Sequence, residues 1–219
     1  MNELYASLIP HAVAVALSPM PIAALIFLLL SNKPKSNSLG FLAGWFTALV
    51  VNVFIFAFLF GASGVPQGGD PLGVRIFHLV LGIILILFAF NEWKKRPKKG
   101  QKATVPKWMK EIAGFTPTKS FLIATALVTI NAKNTVLDVA VGDLINNKAG
   151  SIEGGIIAIF VFASIASLSI LIPVFAFFLF GDKLKKTLNS LNGFFIKKSN
   201  MILFVLFIVL GIGIASKAF

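Results

Sequence analysis

No cysteine occurs in the 219 residues, which excludes disulfides, thiolate metal sites and thiol redox chemistry. Charge is scarce too. Only 13% of residues are Asp, Glu, Lys or Arg, about half the roughly 25% usual in soluble domains. Acids are the scarcer sign, with eight against 20 bases. Histidine occurs only at His11 and His78, and no His, Asp and Glu cluster offers the ligand set of a metal site. Phosphate-cradling glycine loops, nucleophile elbows and zinc signatures are missing, so neither ATP-driven transport nor hydrolysis is expected. The chain is therefore read as a non-enzyme with no cofactor and no metal.

What is present is apolar. Hydrophobic residues make up 57% and Phe alone occurs 23 times, with a mean hydropathy of +0.91. A spanning helix needs about 20 mostly apolar residues, and six stretches qualify: 8–30, 39–61, 74–90, 121–142, 155–180 and 201–216. Met1 to Ser7 lacks a positive leader region, so the first stretch is read as a span that stays. Basic residues then orient the chain. Of the 20, 16 fall in the turns after spans one, three and five, whereas only Arg75, Lys148 and Lys217 lie on the other side. Positive loops stay in the cytoplasm, which puts both termini outside. The net charge of +12 is thereby a matter of topology and of attraction to anionic inner-leaflet lipids, not of nucleic-acid binding.

The segment 91–120 is the one long loop. It opens with the polybasic run Lys94-Lys95-Arg96-Pro97-Lys98-Lys99. It then places Trp108, Ile112 and Phe115 at helical spacing, the pattern of a short interfacial helix. On either side two patterns recur in order. Phe56-Ala57-Phe58-Leu59-Phe60-Gly61 ends span two, and Phe175-Ala176-Phe177-Phe178-Leu179-Phe180-Gly181 ends span five. Val80-Leu81-Gly82-Ile83 lies in span three, and Val209-Leu210-Gly211-Ile212 in span six. Pairs three spans apart indicate a 3+3 duplication, and an odd number of spans inverts the second copy. The expected organisation is an all-α membrane protein of six transmembrane helices in two inverted three-helix repeats. Residues 1–90 form the first repeat, 91–120 the basic cytoplasmic loop and 121–219 the second repeat.

Inverted repeats hold their sites on the broken first helix of each copy. Span one carries Ser18-Pro19-Met20-Pro21, and two prolines two residues apart must kink or unwind it. The break reads either as a packing kink or as a cargo-facing gap. Span four carries Asn131-Ala132-Lys133-Asn134 and then Asp138. Asn131, Asn134 and Asp138 fall on one helical stripe, while Lys133 is about 100° off it unless the helix breaks. A mid-span Lys or Asp costs roughly 3 kcal/mol on insertion scales, so function is the stronger reason to keep each. Lys133 and Asp138 are the obvious charge pair. Asn52 is placed to bridge helices, and Ser164, Ser167 and Ser169 read as small-residue packing, as do Gly40 and Gly44. His11 reads as a hydrogen-bonded structural residue.

At these residues the chain resembles the lysine-exporter (LysE) superfamily, and within it the GAP branch of sulfolipid or peptidoglycolipid addressing proteins. Further likeness lies in Gly40-Phe41-Leu42-Ala43-Gly44-Trp45, Pro106-Lys107-Trp108-Met109 and Leu168-Ser169-Ile170-Leu171-Ile172-Pro173, so it covers almost the whole chain. One departure stands out. The family usually has Asn-Pro-Lys-Asn where this chain has Asn131-Ala132-Lys133-Asn134, which weakens the expectation of a full break there. The resemblance implies an exporter on inverted repeats, driven by an ion gradient, with glycolipid-type or amino-acid-like cargo leaving the cell.

The site expected from these readings comprises Ser18, Pro19, Pro21, Asn131, Lys133, Asn134 and Asp138, with Lys133 holding an anionic group. Plasma membrane is the expected location. The alternative is a non-transporting scaffold or assembly partner for cell-envelope lipid export; an intramembrane enzyme ranks below both, for want of a nucleophile and base. Cargo, coupling ion and oligomeric state are left open by the sequence.

Overall fold

The computed structural model describes residues 2–62, 72–96, 111 and 114–218. Every regular element among them is helical: α1 (Asn2–Ala16), α2 (Pro19–Leu29), α3 (Pro34–Ala62), α4 (Leu72–Lys95), α5 (Pro117–Thr129), α6 (Ala132–Lys148), α7 (Ile152–Ala166), α8 (Leu168–Phe180) and α9 (Lys185–Ala215), with short 3-10 turns at Gly181–Leu184 and Ser216–Ala218. Within them Pro34–Leu59 and Arg75–Lys95 are each long and apolar enough to cross a membrane. Three further pairs qualify when each is taken as one bent span, which makes up to five; Asn200–Ala215 is a shorter apolar helix. The outward surface suits lipid, with Phe54, Phe58, Leu87, Phe175 and Leu179 all exposed.

The three bends have separate causes. Between α1 and α2 the chain turns by 57°, because Pro19 and Pro21 withhold two backbone donors and crowd the carbonyls of the preceding turn. Between α7 and α8 it turns by 61° at Ser167. Pro173 cannot donate to the Ser169 carbonyl four residues back, and the break falls beside that position. Between α5 and α6 it turns by 68° with no proline present. Asn131 caps α6 by accepting from the Lys133 amide at 3.2 Å. Asn134 Nδ2 donates to the Leu127 carbonyl at 3.3 Å and Thr135 Oγ1 to the Thr129 carbonyl at 3.1 Å. Side chains thus serve the carbonyls that the break releases, which a span in lipid requires. Span four is broken despite Ala132.

Small residues set how closely the helices approach, as expected where lipid removes the hydrophobic drive between them. Gly40 and Gly44 lie directly against the carbonyls of Pro117 and Phe121, where a Cβ would overlap backbone. This small-residue pair therefore serves a crossing inside the chain, α3 on α5. Trp45 and Phe41, stacked 6.4 Å apart and fully buried, fill the space beside it. Contacts also sort the two ends of the bundle. Lys35 lies over the Phe178 ring, Asn37 donates to the Phe115 carbonyl and Asn200 to Glu92 at one end. Glu3 meets Lys148 at the other. Lys94 and Lys95 of the polybasic run belong to α4; residues 97–99 of the run and, apart from Glu111 and Phe115, the expected interfacial helix lie outside the described residues.

Candidate binding site between two broken helices

The breaks in spans one and four meet. Ser18 ends the first half of span one and is fully buried; its Oγ donates to the Val15 carbonyl at 2.6 Å, filling an acceptor that Pro19 leaves open. The same oxygen accepts from Lys133 Nζ across the gap and lies 3.5 Å from Asn134 Oδ1. Lys133 stands in the first turn of α6 and is only 8% exposed. Its ammonium also sits 6.0 Å from the centre of the Phe207 ring, within cation–π range.

A cavity of about 270 Å³ opens at this junction. Ser18, Pro19, Pro21, Asn131 and Lys133, expected from the sequence, all line it, together with Met20 and Ala132. Phe88, Leu203 and Phe207 give it an apolar wall. Asn91, Glu92 and Lys95 from the last turns of α4 complete it toward the end of the bundle that carries Lys94, Lys95 and Arg96. Sequence reasoning missed these three because they fall just past the expected end of span three. The signal was there: Glu92 is a lone carboxylate placed before a run of bases.

Two expected residues are not in the lining. Asn134 lies behind Ser18 and serves the broken backbone. Asp138 is completely buried one turn further along α6, and its Oδ2 accepts from Asn52 Nδ2 at 3.2 Å. Lys133 and Asp138 are consequently not a pair. Breaking the helix swings Lys133 toward span one, while Asp138 faces α3. Asn52 bridges helices as expected.

Chemically, the cavity presents one buried ammonium at its floor, hydroxyl and amide groups beside it, and a Glu92–Lys95 rim. Two helix N-termini, those of α2 and α6, end at it, and their dipoles favour negative charge. Residues 8–218 match the family model described as Sap, sulfolipid-1-addressing protein. The chain belongs to this family. No curated protein and no solved structure matches it. With its apolar helices, this sulfolipid-1-addressing family member is a membrane protein involved in sulfolipid addressing.

Proposed function

We propose that this protein is a secondary exporter that moves an amphipathic or polar metabolite with an anionic group out of the cytoplasm, across the plasma membrane. The observation that carries the reading is Lys133, a buried ammonium at the start of a half-helix, turned into a cavity that its neighbours keep partly apolar. A mid-membrane lysine is costly unless it has a partner or faces a cavity. Half-helix N-termini beside a cation are a recurrent way to hold an anionic group near the midplane. A sulfated glycolipid suits both parts: its sulfate for Lys133 and the asparagine, its apolar portion for the wall of Phe88, Leu203 and Phe207. No step in this cycle is catalytic.

The reading takes the chain as multi-pass, with six spans in two inverted repeats, both termini outside, and a place in the lysine-exporter superfamily. Several contacts support it. The second span packs on the broken fourth, the fifth packs on the broken first, and the third packs on the sixth, a pattern that exchange of the two halves leaves unchanged. The basic end of the bundle would then face anionic lipids of the inner leaflet. A scaffold for lipid export does not account for a mid-span lysine facing a cavity.

The test is Lys133→Met in proteoliposomes assayed with a fluorescent sulfated glycolipid. Export should fall at least about tenfold, the loss of roughly 1.4 kcal/mol of binding, while the protein keeps its helical content. Normal export by the folded variant would refute the reading.

A further inference from the structure

A second polar cluster lies nearer the other end of the bundle, away from the cargo cavity. His78 of α4 and Asp143 of α6 are 7% and 8% exposed, and His78 Nε2 lies 2.9 Å from Asp143 Oδ2. Asn147, one turn on, donates to Asp143 Oδ1 at 2.8 Å. Both carboxylate oxygens are therefore occupied as acceptors. His78 Nδ1, by contrast, is buried with no hydrogen-bond partner. With Nε2–H donating to the Asp143 carboxylate, which can only accept, Nδ1 is the position where a further proton can add.

His11 of α1 joins the two in lining a cavity of about 10 Å³, room for about one water molecule. Leu81, Ala140, Leu144 and Ile214 close it, so α9 contributes only an apolar side chain. Arg75 stands one turn before His78 on α4, and Glu3 and Lys148 pair at 3.9 Å toward the same end. With a neutral imidazole the His78–Asp143 pair carries one negative charge; with an imidazolium it is neutral. One proton thus decides whether this part of the bundle holds a net charge, which a membrane interior disfavours.

We propose that the His78–Asp143 pair is a proton-binding site reached from the end of the bundle opposite the cargo cavity, and that export is coupled to its loading. The proton adds to His78 Nδ1 while Nε2–H stays on Asp143, so the pair gains a charge without remaking its contact. Neutrality favours closing the bundle around the loaded pair, and exposure to water allows release. Along α6, Lys133 and Asp143 are ten residues apart, about 15 Å at 1.5 Å per residue. Asp138 lies midway, with its Oδ1 buried and unpartnered. Cargo and proton therefore occupy separate positions on one helix. The coupling, though not the proton site itself, rests on the export reading.

The two histidines make the site directly observable. In full-length protein labelled with ¹⁵N-histidine and reconstituted in vesicles of phosphatidylcholine with anionic phosphatidylglycerol, two ring systems resonate, and His11→Gln assigns them. His78 Nδ1 should pass from unprotonated to protonated as the vesicle suspension is acidified, and Asp143→Asn should displace that change. A His78 ring in one protonation state throughout, in both proteins, overturns the site whatever the export assay gives. In the same vesicles an imposed pH gradient should speed export of the fluorescent sulfated glycolipid at least about fivefold, and His78→Gln should lose that stimulation while keeping gradient-independent exchange. A titrating His78 with export indifferent to the gradient overturns the coupling. Absence of export from the wild-type protein under every gradient refutes the export reading and the coupling with it, and the resonance of His78 still decides the proton site.

Discussion

Gly82 on α4 and Gly211 on α9 face each other backbone to backbone. A Cβ on Gly82 would stand 2.6 Å from the Gly211 carbonyl oxygen, and a Cβ on Gly211 would stand 2.9 Å from that of Gly82. The contact is reciprocal. These are also the two glycines that the Val-Leu-Gly-Ile recurrence pairs in sequence. Gly82→Leu or Gly211→Leu should each lower stability by ~1–3 kcal/mol, the usual cost of forcing extra methylenes into a packed site. Thermal unfolding in detergent micelles checks this, and the double variant should cost less than the sum, because one opened gap accommodates both side chains.

Ala132 begins α6, where the family resemblance places proline. Its amide has no partner four residues back within the helix. Asn131 before it is already extended, at φ −75° and ψ 102°, as a residue preceding proline must be. Ala132→Pro should therefore be tolerated, and should raise stability by ~0.4–1 kcal/mol by restricting the unfolded chain. Val136→Pro, one turn further in, should cost about 3 kcal/mol or more. Equal damage from both would mean that the break is absent.

Asn52 and Asp138 form a buried hydrogen bond between α3 and α6. Asn52→Leu strips the carboxylate of its donor and should cost ~1–3 kcal/mol, the penalty of an unmet buried group. Adding Asp138→Leu should recover part of that loss, since two apolar side chains then face each other. Melting temperatures of the three variants measure the recovery.

Lys133 bonds Ser18 and not Asp138. A double-mutant cycle on thermal stability should accordingly give a coupling near 1 kcal/mol for Lys133→Met with Ser18→Ala. The cycle with Asp138→Asn should give a smaller one. The reverse order would restore the helical charge pair that the sequence suggested.

The absence of cysteine makes sidedness simple to read. A membrane-impermeant maleimide should label Asn146→Cys in intact cells and Ser36→Cys only after the membrane is opened. Labelling of both in intact cells would contradict the charge-based orientation.

Composition and the length of the apolar runs determined that this is a helical membrane protein, because a backbone in lipid is satisfied only within helices or a closed barrel, and apolar runs of about 20 residues suit helices. Pro19 and Pro21 determined the first break by local sterics, and Lys133 declared itself by its cost. Which partners the polar residues take was decided only by the tertiary structure. Nothing in spacing reveals that Lys133 meets Ser18, 115 positions away, since that depends on where two bends bring separate helices together. The same holds for Glu92 in the cavity and for Asp143 on His78. Each lies one or two residues beyond an expected span end, and hydropathy marks where a helix leaves the apolar layer, not which way its last side chains turn. The α5–α6 break without proline belongs with these. It exists because Asn131, Asn134 and Thr135 supply hydrogen bonds to freed backbone groups, an arrangement that sequence permits and that packing selects.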